Sequence, residues 1–261
     1  MFDVLLRGGR VIDGTGAPWY PADVALRDGQ IAAVGRLPGA AAAVEYDATG
    51  LAVAPGFIDI HDHSDFSLVA DPRAASAIHQ GVTTVVPGNC GSSAAPITAL
   101  RGTRPALFTY VDGLEVSWRG YGEYLDVLRA LPLAVNVAPL VGHGAIRASV
   151  MGLSADAPSP EQQAAMAGHL RESLDAGAFG LSLGLEYTPG RSATREELLG
   201  LCRVAQDHGR FMAAHIRSRD FRYLQSVDEV LGIAAEAGVA TQLSHLTARY
   251  GAVRDADQVV W

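Results

Sequence analysis

Residues 55–63 read PGFIDIHDH, a short apolar run that ends in two histidines. The run is typical of a β-strand, and residues two apart in an extended segment point the same way, so His61 and His63 can face one metal ion. The pattern of the chain changes here. Before Pro55 short β-prone runs alternate with turn signals, whereas after it strands alternate with helical segments, as they do in βα units.

Strands are predicted in six segments of the second region, with helices between them: 56–60, 82–86, 133–139, 179–183, 210–215 and 239–245. Capping-box signals predict helix starts at Ser159, Thr194 and Ser226. A complete (β/α)8 TIM-type barrel takes about 250 residues. The expected fold class is therefore α/β, and residues 55–261 are expected to hold about six of eight βα units, in a barrel that is incomplete at its C-terminus.

Residues 1–54 are predicted to form a separate, small antiparallel β unit. Their short apolar runs are separated by turn dipeptides, and Asp28-Gly29 between two such runs indicates a hairpin. Few strands are predicted here, so the unit is not expected to be stable when it folds alone.

The composition of the chain indicates a globular protein and excludes several classes. The 261 residues are 49% hydrophobic with a net charge of -8, which argues against a nucleic-acid partner. No apolar run is long enough for a membrane span, and the first residues lack the order of a signal peptide, so a cytoplasmic location is expected. All 20 basic residues are arginines. No lysine is therefore present to be carbamylated between two metal ions.

Further metal-ligand side chains stand at the ends of other predicted strands. Cys90 follows the second strand, His215 ends the fifth and His245 ends the sixth. Since the carboxyl ends of parallel barrel strands open on one face, these residues are expected to converge with His61 and His63. Imidazole and thiolate suit zinc, and one thiolate among several histidines leaves room for a water molecule. The sequence predicts a catalytic zinc site, whose ion would activate water and polarise a carbonyl.

Two motifs carry a resemblance to a known family. The strand with two histidines, preceded at residues 9–16 by GRVIDGTG, resembles the amidohydrolase superfamily. Residues 81–91, GVTTVVPGNCG, are similar to the N-acyl-D-amino-acid deacylases, or D-aminoacylases. The resemblance implies a β-sandwich, with strands from both chain termini, attached to a (β/α)8 barrel. It also implies zinc-dependent hydrolysis of the amide bond of N-acyl-D-amino acids, small-molecule substrates, to a carboxylate and a free D-amino acid.

The resemblance also assigns roles to the metal ligands. It implies a tightly bound zinc ion at Cys90, His215 and His245, with a weaker second site at His61 and His63. Cys90 could bridge two ions, as a carbamylated lysine does in related binuclear sites.

Three residues are predicted to contact substrate. Tyr187 matches a family tyrosine that helps to bind the substrate carboxylate. Arg217, two residues after a ligand histidine, can bind a carboxylate bidentately or can form an ion pair within the protein. His143 can contact substrate or orient a ligand. The resemblance places the catalytic acid–base aspartate beyond residue 261, so no catalytic residue is assigned.

Two other functions stay open. One is hydrolysis of a cyclic amide, or deamination, on the same scaffold; the absence of lysine and the Asn89-Cys90-Gly91 motif argue against its carbamylated-lysine members. The other is an inactive metal-binding fragment. The lysine that the deacylases commonly carry after the sixth-strand histidine is absent from Leu246-Thr247-Ala248-Arg249, which bears on substrate preference. The sequence assigns no oligomeric state.

Overall fold

The computed structural model of the chain describes residues 1–97, 111 and 113–249. By their internal contacts the residues divide into two units, Met1–Phe57 and Ile58–Trp261. The first contains one mixed β-sheet, and the second contains strands that alternate with helices.

The first unit is a five-stranded sheet. Its strand order is β3-β2-β1-β4 with β5 also beside β1, and the strands are β1 (Phe2–Val11), β2 (Tyr20–Arg27), β3 (Gln30–Gly35), β4 (Ala42–Asp47) and β5 (Ala52–Val53). β2 is antiparallel to β1 and β3, whereas β4 and β5 run parallel to β1. The expectation of an antiparallel unit is therefore wrong for its second half. The reason is that residues 36–41 cross to the opposite edge of the sheet, so β4 enters beside β1 in the same direction.

The hairpin between β2 and β3 turns at Asp28 and Gly29, whose φ angles are 52° and 72°. Two successive positive φ angles are what a type I′ turn requires, and Asp-Gly is well suited to it. The predicted hairpin is confirmed. Residues 1–57 contain this one sheet, so the two-layered sandwich stays a prediction.

The second unit contains seven strands among its described residues, in two sheets of order β6-β7-β8 and β9-β10-β11-β12. These strands are β6 (Phe57–Asp59), β7 (Val82–Val85), β8 (Asn136–Val137), β9 (Leu140–Gly142), β10 (Gly180–Gly184), β11 (Phe211–His215) and β12 (Thr241–Leu243). The pairs β7–β8, β9–β10, β10–β11 and β11–β12 are parallel. Every one of the six predicted strand segments holds an observed strand, in the order of consecutive barrel units.

The third predicted strand differs in detail from its expected form. The segment 133–139 contains β8, which pairs with β7, but the chain goes on through Pro139 into β9, which pairs with β10. Leu140 N donates to Pro87 O at 2.8 Å, and Phe179 N donates to Pro139 O at 2.8 Å. The strand therefore ends at Gly142, three residues later than predicted, and it links the two sheets at its bend.

Seven helices lie in the described part of this unit: α1 (Ser67–Ala70), α2 (Ala75–Ile78), α3 (Tyr121–Ala130), α4 (His143–Met151), α5 (Pro160–Ala176), α6 (Arg195–Asp207) and α7 (Tyr223–Ala237). The capping box of α5 is confirmed, because Gln162 N donates to Ser159 Oγ at 3.3 Å and Ser159 N donates to Gln162 Oε1 at 2.8 Å. Thr194 caps α6 as predicted, accepting from Glu197 N at 3.2 Å.

The predicted helix start at Ser226 is wrong. Helix α7 begins one turn earlier, at Tyr223, and Ser226 is a buried residue inside it. Burial of the Tyr223 ring, which is 1% exposed, stabilises that extra turn. Glu229, the expected partner in a capping box, pairs with Arg217 instead.

The main hydrophobic core lies between the strands of the second unit and helices α3 to α7. All five residues of β10 are buried, as expected for a parallel strand covered on both faces. Cys202 is fully buried in α6. Among the helices described, none has the length and apolar character needed to cross a bilayer.

Candidate metal centre

The loop after β7 carries Cys90 in an unusual backbone conformation. Gly88, Cys90 and Gly91 have φ angles of 85°, 54° and 71°. A non-glycine residue in this left-handed region costs about 1–2 kcal/mol, and such residues concentrate at functional sites. His245, another predicted ligand, also has a positive φ, of 34°.

Glycines let this loop lie directly against the backbone of two neighbouring strands. A Cβ atom on Gly88 would stand 2.1 Å from Leu140 O in β9, and one on Gly184 in β10 would stand 1.8 Å from Cys90 O. A Cβ on Gly91 would meet Gly184 N at 2.6 Å. Real Cβ atoms do not approach so closely, so glycine at these positions fixes the Cys90 loop against β9 and β10.

Buried polar side chains hold the same loop from several sides. Asp65 Oδ2 accepts from Gly88 N at 3.1 Å and its Oδ1 accepts from Ala94 N at 3.3 Å. Gly91 N donates to Ser182 Oγ at 3.1 Å, and Asn89 Nδ2 donates to Val86 O at 2.8 Å. Burial raises the pKa of the Asp65 carboxyl to about 7, against the opposing effect of these backbone donors. Asp65 thus fixes both ends of the loop that presents Cys90.

Three predicted ligands meet at this loop. Cys90 Sγ lies 3.3 Å from His61 Nε2 and 3.4 Å from His245 Nε2. One ligand atom from each of the three residues lies within 4.8 Å of the others. General bond lengths of about 2.1 Å from zinc to nitrogen and about 2.3 Å to sulfur put the two ligand atoms of a tetrahedral site about 3.6 Å apart. The spacing of these three side chains therefore fits zinc.

The other two predicted ligands lie beside this triangle. The His63 ring is 5.2 Å from the His61 ring, and the His215 ring is 4.4 Å from the His245 ring, centroid to centroid. His215 Nε2 is 2.7 Å from Glu186 Oε2, and its buried Nδ1 has no hydrogen-bond partner among the described residues. That atom is suited to bind a metal ion, since a carboxylate on the other ring nitrogen commonly orients a ligand histidine. The structure thus groups His61, rather than His215, with Cys90. The division of the ligands between two ions stays a prediction.

Burial also sets the protonation of the ligands. It lowers the pKa of all four histidines, to about 4 for His61 and His215. Burial raises the pKa of the Cys90 thiol to about 12, although the positive charge of Arg219 opposes this. At neutral pH the imidazoles are therefore in the neutral form that binds metal, and the thiol holds its proton.

Comparison of the sequence with protein families gives a match over most of the chain. The profile of a family described as the amidohydrolase family matches residues 44–259, a range that contains all five predicted ligands. The chain belongs to the amidohydrolase family.

Individual relatives of this amidohydrolase are deacylases. A D-aminoacylase of Alcaligenes xylosoxydans xylosoxydans is 42% identical over 94% of this chain and 50% of the relative. An N-acyl-D-glutamate deacylase from the same organism is 43% identical over 93% of this chain and 49% of the relative. N-acyl-D-glutamate deacylase from Bordetella bronchiseptica has a crystal structure in complex with zinc and a phosphonate inhibitor that mimics the tetrahedral intermediate. Its sequence is 41% identical to this chain, and the two structures match with a TM-score of 0.84. The match covers 92% of this chain and 50% of that one. The chain spans about half the length of the curated relatives it matches.

The three predicted substrate residues of the amidohydrolase have different surroundings. The Tyr187 ring packs edge-on against His215, at 4.6 Å between centroids. His143 begins α4 and is fully buried, with its Nε2 2.7 Å from Glu197 Oε1, and Arg147 pairs with the same carboxylate. Tyr187 therefore lies beside the predicted ligand His215, whereas His143 is part of a buried hydrogen-bond network with Glu197 and Arg147.

Arg217 forms an ion pair within the protein, which is one of the two roles that the sequence predicted for it. Its Nε and Nη2 donate to the two carboxylate oxygens of Glu229 at 2.9 and 2.8 Å. Its Nη1 donates to Arg191 O at 2.6 Å, and Nη2 donates also to Ala193 O at 3.1 Å. All three nitrogens of the guanidinium have partners within the protein, and substrate binding by Arg217 stays a prediction.

Several residues of the centre were not found from the sequence. These are Asp65, Glu186, Arg219 and Arg249. A positional signal exists for the two arginines, because each stands four residues after a strand-end histidine, His215 or His245. Burial raises the pKa of Glu186, but the hydrogen bond to His215 and the charges of both arginines outweigh it and hold this pKa below its usual value.

Asp65→Ala is expected to weaken zinc binding about ten- to a hundredfold, since groups that orient metal ligands commonly contribute that much. The change removes the acceptor for Gly88 N and Ala94 N and frees the Cys90 loop. Competition with a chromogenic chelator would measure the affinity. Asp71→Ala, which removes a more exposed carboxylate paired with Arg73, is the matched control and should bind zinc as tightly as the parent protein.

Zinc binding is expected to release close to one proton at pH 7. The histidines are already neutral there, whereas the Cys90 thiol must lose its proton to become a ligand. Affinity should accordingly rise about tenfold per pH unit between about pH 7 and about pH 9, the direction set by the raised thiol pKa. Calorimetry in two buffers of different ionisation enthalpy measures the protons released, and a value near zero would contradict Cys90 as a thiolate ligand.

Proposed function

We propose that the protein hydrolyses the amide bond of N-acyl-D-amino acids in a zinc-dependent reaction, releasing a carboxylate and a free D-amino acid. The observation that carries the proposal is the triangle of His61, Cys90 and His245, in an amidohydrolase that resembles deacylases along nearly its whole length. Another related deacylase, from Bordetella bronchiseptica, has a crystal structure in complex with zinc and a mimic of the tetrahedral intermediate. The site contains Cys90 and the chain contains no lysine, which supports the deacylase branch of the family.

The proposed ligands are His61, His63, Cys90, His215 and His245. Zinc supplies Lewis-acid chemistry when bound, activating water and polarising the acyl carbonyl. Geometry and a lone thiolate favour one tightly held ion, and His63 supports a second, weaker one.

The protein's own residues prepare the site for this reaction. The Cys90 loop is held by Asp65, so the sulfur stays in place without ordering on binding. Glu186 forms a hydrogen bond with His215 Nε2, and the buried Nδ1 of that ring is the atom we propose as the metal ligand. Tyr187 lies against the same ring, and we propose that it contacts the substrate carboxylate. No acid–base aspartate is assigned among the described residues. We propose that this group lies beyond residue 261.

Substrate and location are proposed from the same chemistry. The substrate is a small acylated amino acid, and no oligomeric state is assigned. A cytoplasmic location is proposed because Cys90 must remain a free thiol, as reducing compartments keep it.

The test is hydrolysis by the zinc-loaded protein. N-Acetyl-D-amino acids, their L-enantiomers and ring amides such as hydantoins are incubated with it, and released amine or opened ring is measured by chromatography. Hydrolysis of D-substrates in preference to both other groups is the expected result. Preferential opening of ring amides would replace the proposal with the cyclic-amide function, and stoichiometric zinc without any turnover would favour a metal-binding role.

A further inference from the structure

A cluster of two arginines and one carboxylate lies against the proposed metal ligand His215. Glu186 Oε2 is 2.7 Å from His215 Nε2, and it accepts from Arg219 Nε and Nη2 at 3.3 Å. Arg249 Nη1 donates to Glu186 Oε1 at 2.8 Å and its Nη2 donates to Oε2 at 3.3 Å. One carboxylate thus holds two guanidinium groups beside the candidate zinc site.

The backbone keeps the two arginines together. Arg219 follows β11 and Arg249 follows β12, each four residues after the ligand histidine of its strand. Arg249 N donates to Arg219 O at 2.8 Å, which joins the two strand-end loops. Both side chains therefore stand at the carboxyl ends of neighbouring parallel strands, where barrel enzymes bind their substrates.

The cluster carries more positive charge than negative charge, because two guanidinium groups share one carboxylate. Glu186 is the one carboxylate within hydrogen-bond distance of the two arginines among the described residues; Asp220 Oδ2 is farther away, 3.8 Å from Arg249 Nη1. Each guanidinium has several N–H donors, and four nitrogen contacts to Glu186 do not use them all. Arg219 Nη1 has no partner in the part of the chain that the structure describes. The cluster therefore has donors and positive charge left for a second anion.

Unused donors distinguish these arginines from Arg217, which lies in the same loop as Arg219. The Arg219 side chain is 18% exposed, and the Arg249 side chain is 45% exposed, so a ligand can reach the pair from solvent. All three nitrogens of Arg217 are already engaged with Glu229 and backbone carbonyls. A carboxylate arriving at the metal centre consequently finds Arg219 and Arg249 as the available cations.

We infer that Arg219 and Arg249, held by Glu186, bind a carboxylate of the N-acyl-D-amino acid and so determine substrate specificity. The inference rests on the proposed function. Arginine suits the role because its planar donors match a carboxylate bidentately. The carboxylate bound is either the α-carboxylate, shared by all such substrates, or a side-chain carboxylate, found in acidic ones.

Kinetics of Arg219→Gln, Arg249→Gln and the double variant test the inference, with zinc content measured for each. The substrates are N-acetyl-D-alanine, with one carboxylate, N-acetyl-D-glutamate, with two, and N-acetyl-D-alaninamide, with none. KM for the carboxylate substrates should rise about tenfold or more in the double variant, as expected for loss of charged hydrogen bonds, with little change in kcat. The amide should be processed as by the parent protein. Arg203→Gln, which alters an exposed α6 arginine paired with Glu236, is the control.

The pattern across substrates identifies the group bound. An increase in KM shared by both acids indicates the α-carboxylate, and one confined to N-acetyl-D-glutamate indicates a side-chain carboxylate. Unchanged KM for both acids in a zinc-loaded double variant would overturn the inference. Should the parent protein hydrolyse none of them, the proposed function fails separately. Calorimetric binding of N-acetyl-D-glutamate to the zinc-loaded protein then decides: weaker binding by the double variant supports the arginine site, and equal or undetectable binding by both proteins refutes it.

Discussion

Cys90→Gly is expected to abolish tight zinc binding while the stability of the metal-free fold changes little. The sulfur lies 3.3 and 3.4 Å from the nitrogens of His61 and His245, so its loss opens the ligand triangle. Residues that only orient ligands contribute ten- to a hundredfold in affinity, and a direct ligand should contribute more than about a hundredfold. The backbone effect has the opposite sign. Cys90 has a φ of 54°, and glycine relieves a cost of about 1–2 kcal/mol there, which offsets the loss of the buried side chain.

The measurements are zinc content after dialysis and the midpoint of chemical unfolding without metal. Cys202→Ala is the matched control, because it removes the other buried thiol, which lies in α6 with its sulfur 3.2 Å from Met212 Sδ. That variant should lose some stability through the cavity it creates and should keep its zinc. Stoichiometric, tightly bound zinc in Cys90→Gly would remove Cys90 from the metal site.

Gly184→Ala is expected to destabilise the fold by about 3 kcal/mol and to displace the Cys90 loop. The new methyl group would stand 1.8 Å from Cys90 O, a backbone atom that no side-chain rotation can move away. Either β10 or the loop must shift, and the loop carries the proposed ligand. Zinc affinity and stability should therefore fall together, as measured by chelator competition and chemical unfolding.

Gly168→Ala supplies the control for this substitution. Gly168 lies exposed within α5, and a Cβ atom there meets nothing within 4 Å. Alanine is the better helix former by about 1 kcal/mol, so this variant should gain stability and bind zinc normally. A Gly184→Ala protein that matched the parent in both measurements would show that the loop does not depend on its close contact with β10.

The features that could be predicted from sequence are those with local signals. Apolar runs between helical segments located six strands, and the residue types at their ends predicted that His61, Cys90 and His245 lie together, as they do in the structure. The Asp28-Gly29 turn and the Ser159 cap are likewise set by neighbouring residues.

The features that escaped prediction depend on contacts distant in the chain. The strand through Pro139 continues because its two halves pair with different neighbours, β7 and β10. Helix α7 starts early because Tyr223 is buried by residues from other elements. Glu186, Arg219 and Arg249 come from three separate loops, and only the packing of β10, β11 and β12 brings their charges together.

The left-handed backbone at Cys90 decides how this centre can be transferred to another protein. Copying the five proposed ligands onto a different barrel would reproduce the chemistry of the donors without the φ of 54° that aims the sulfur. An engineer would have to graft residues 87–91 together with glycine at 142 and 184, the strand positions that the loop touches. The feature that must be transferred is the main-chain conformation of this loop, because it sets the position of the cysteine.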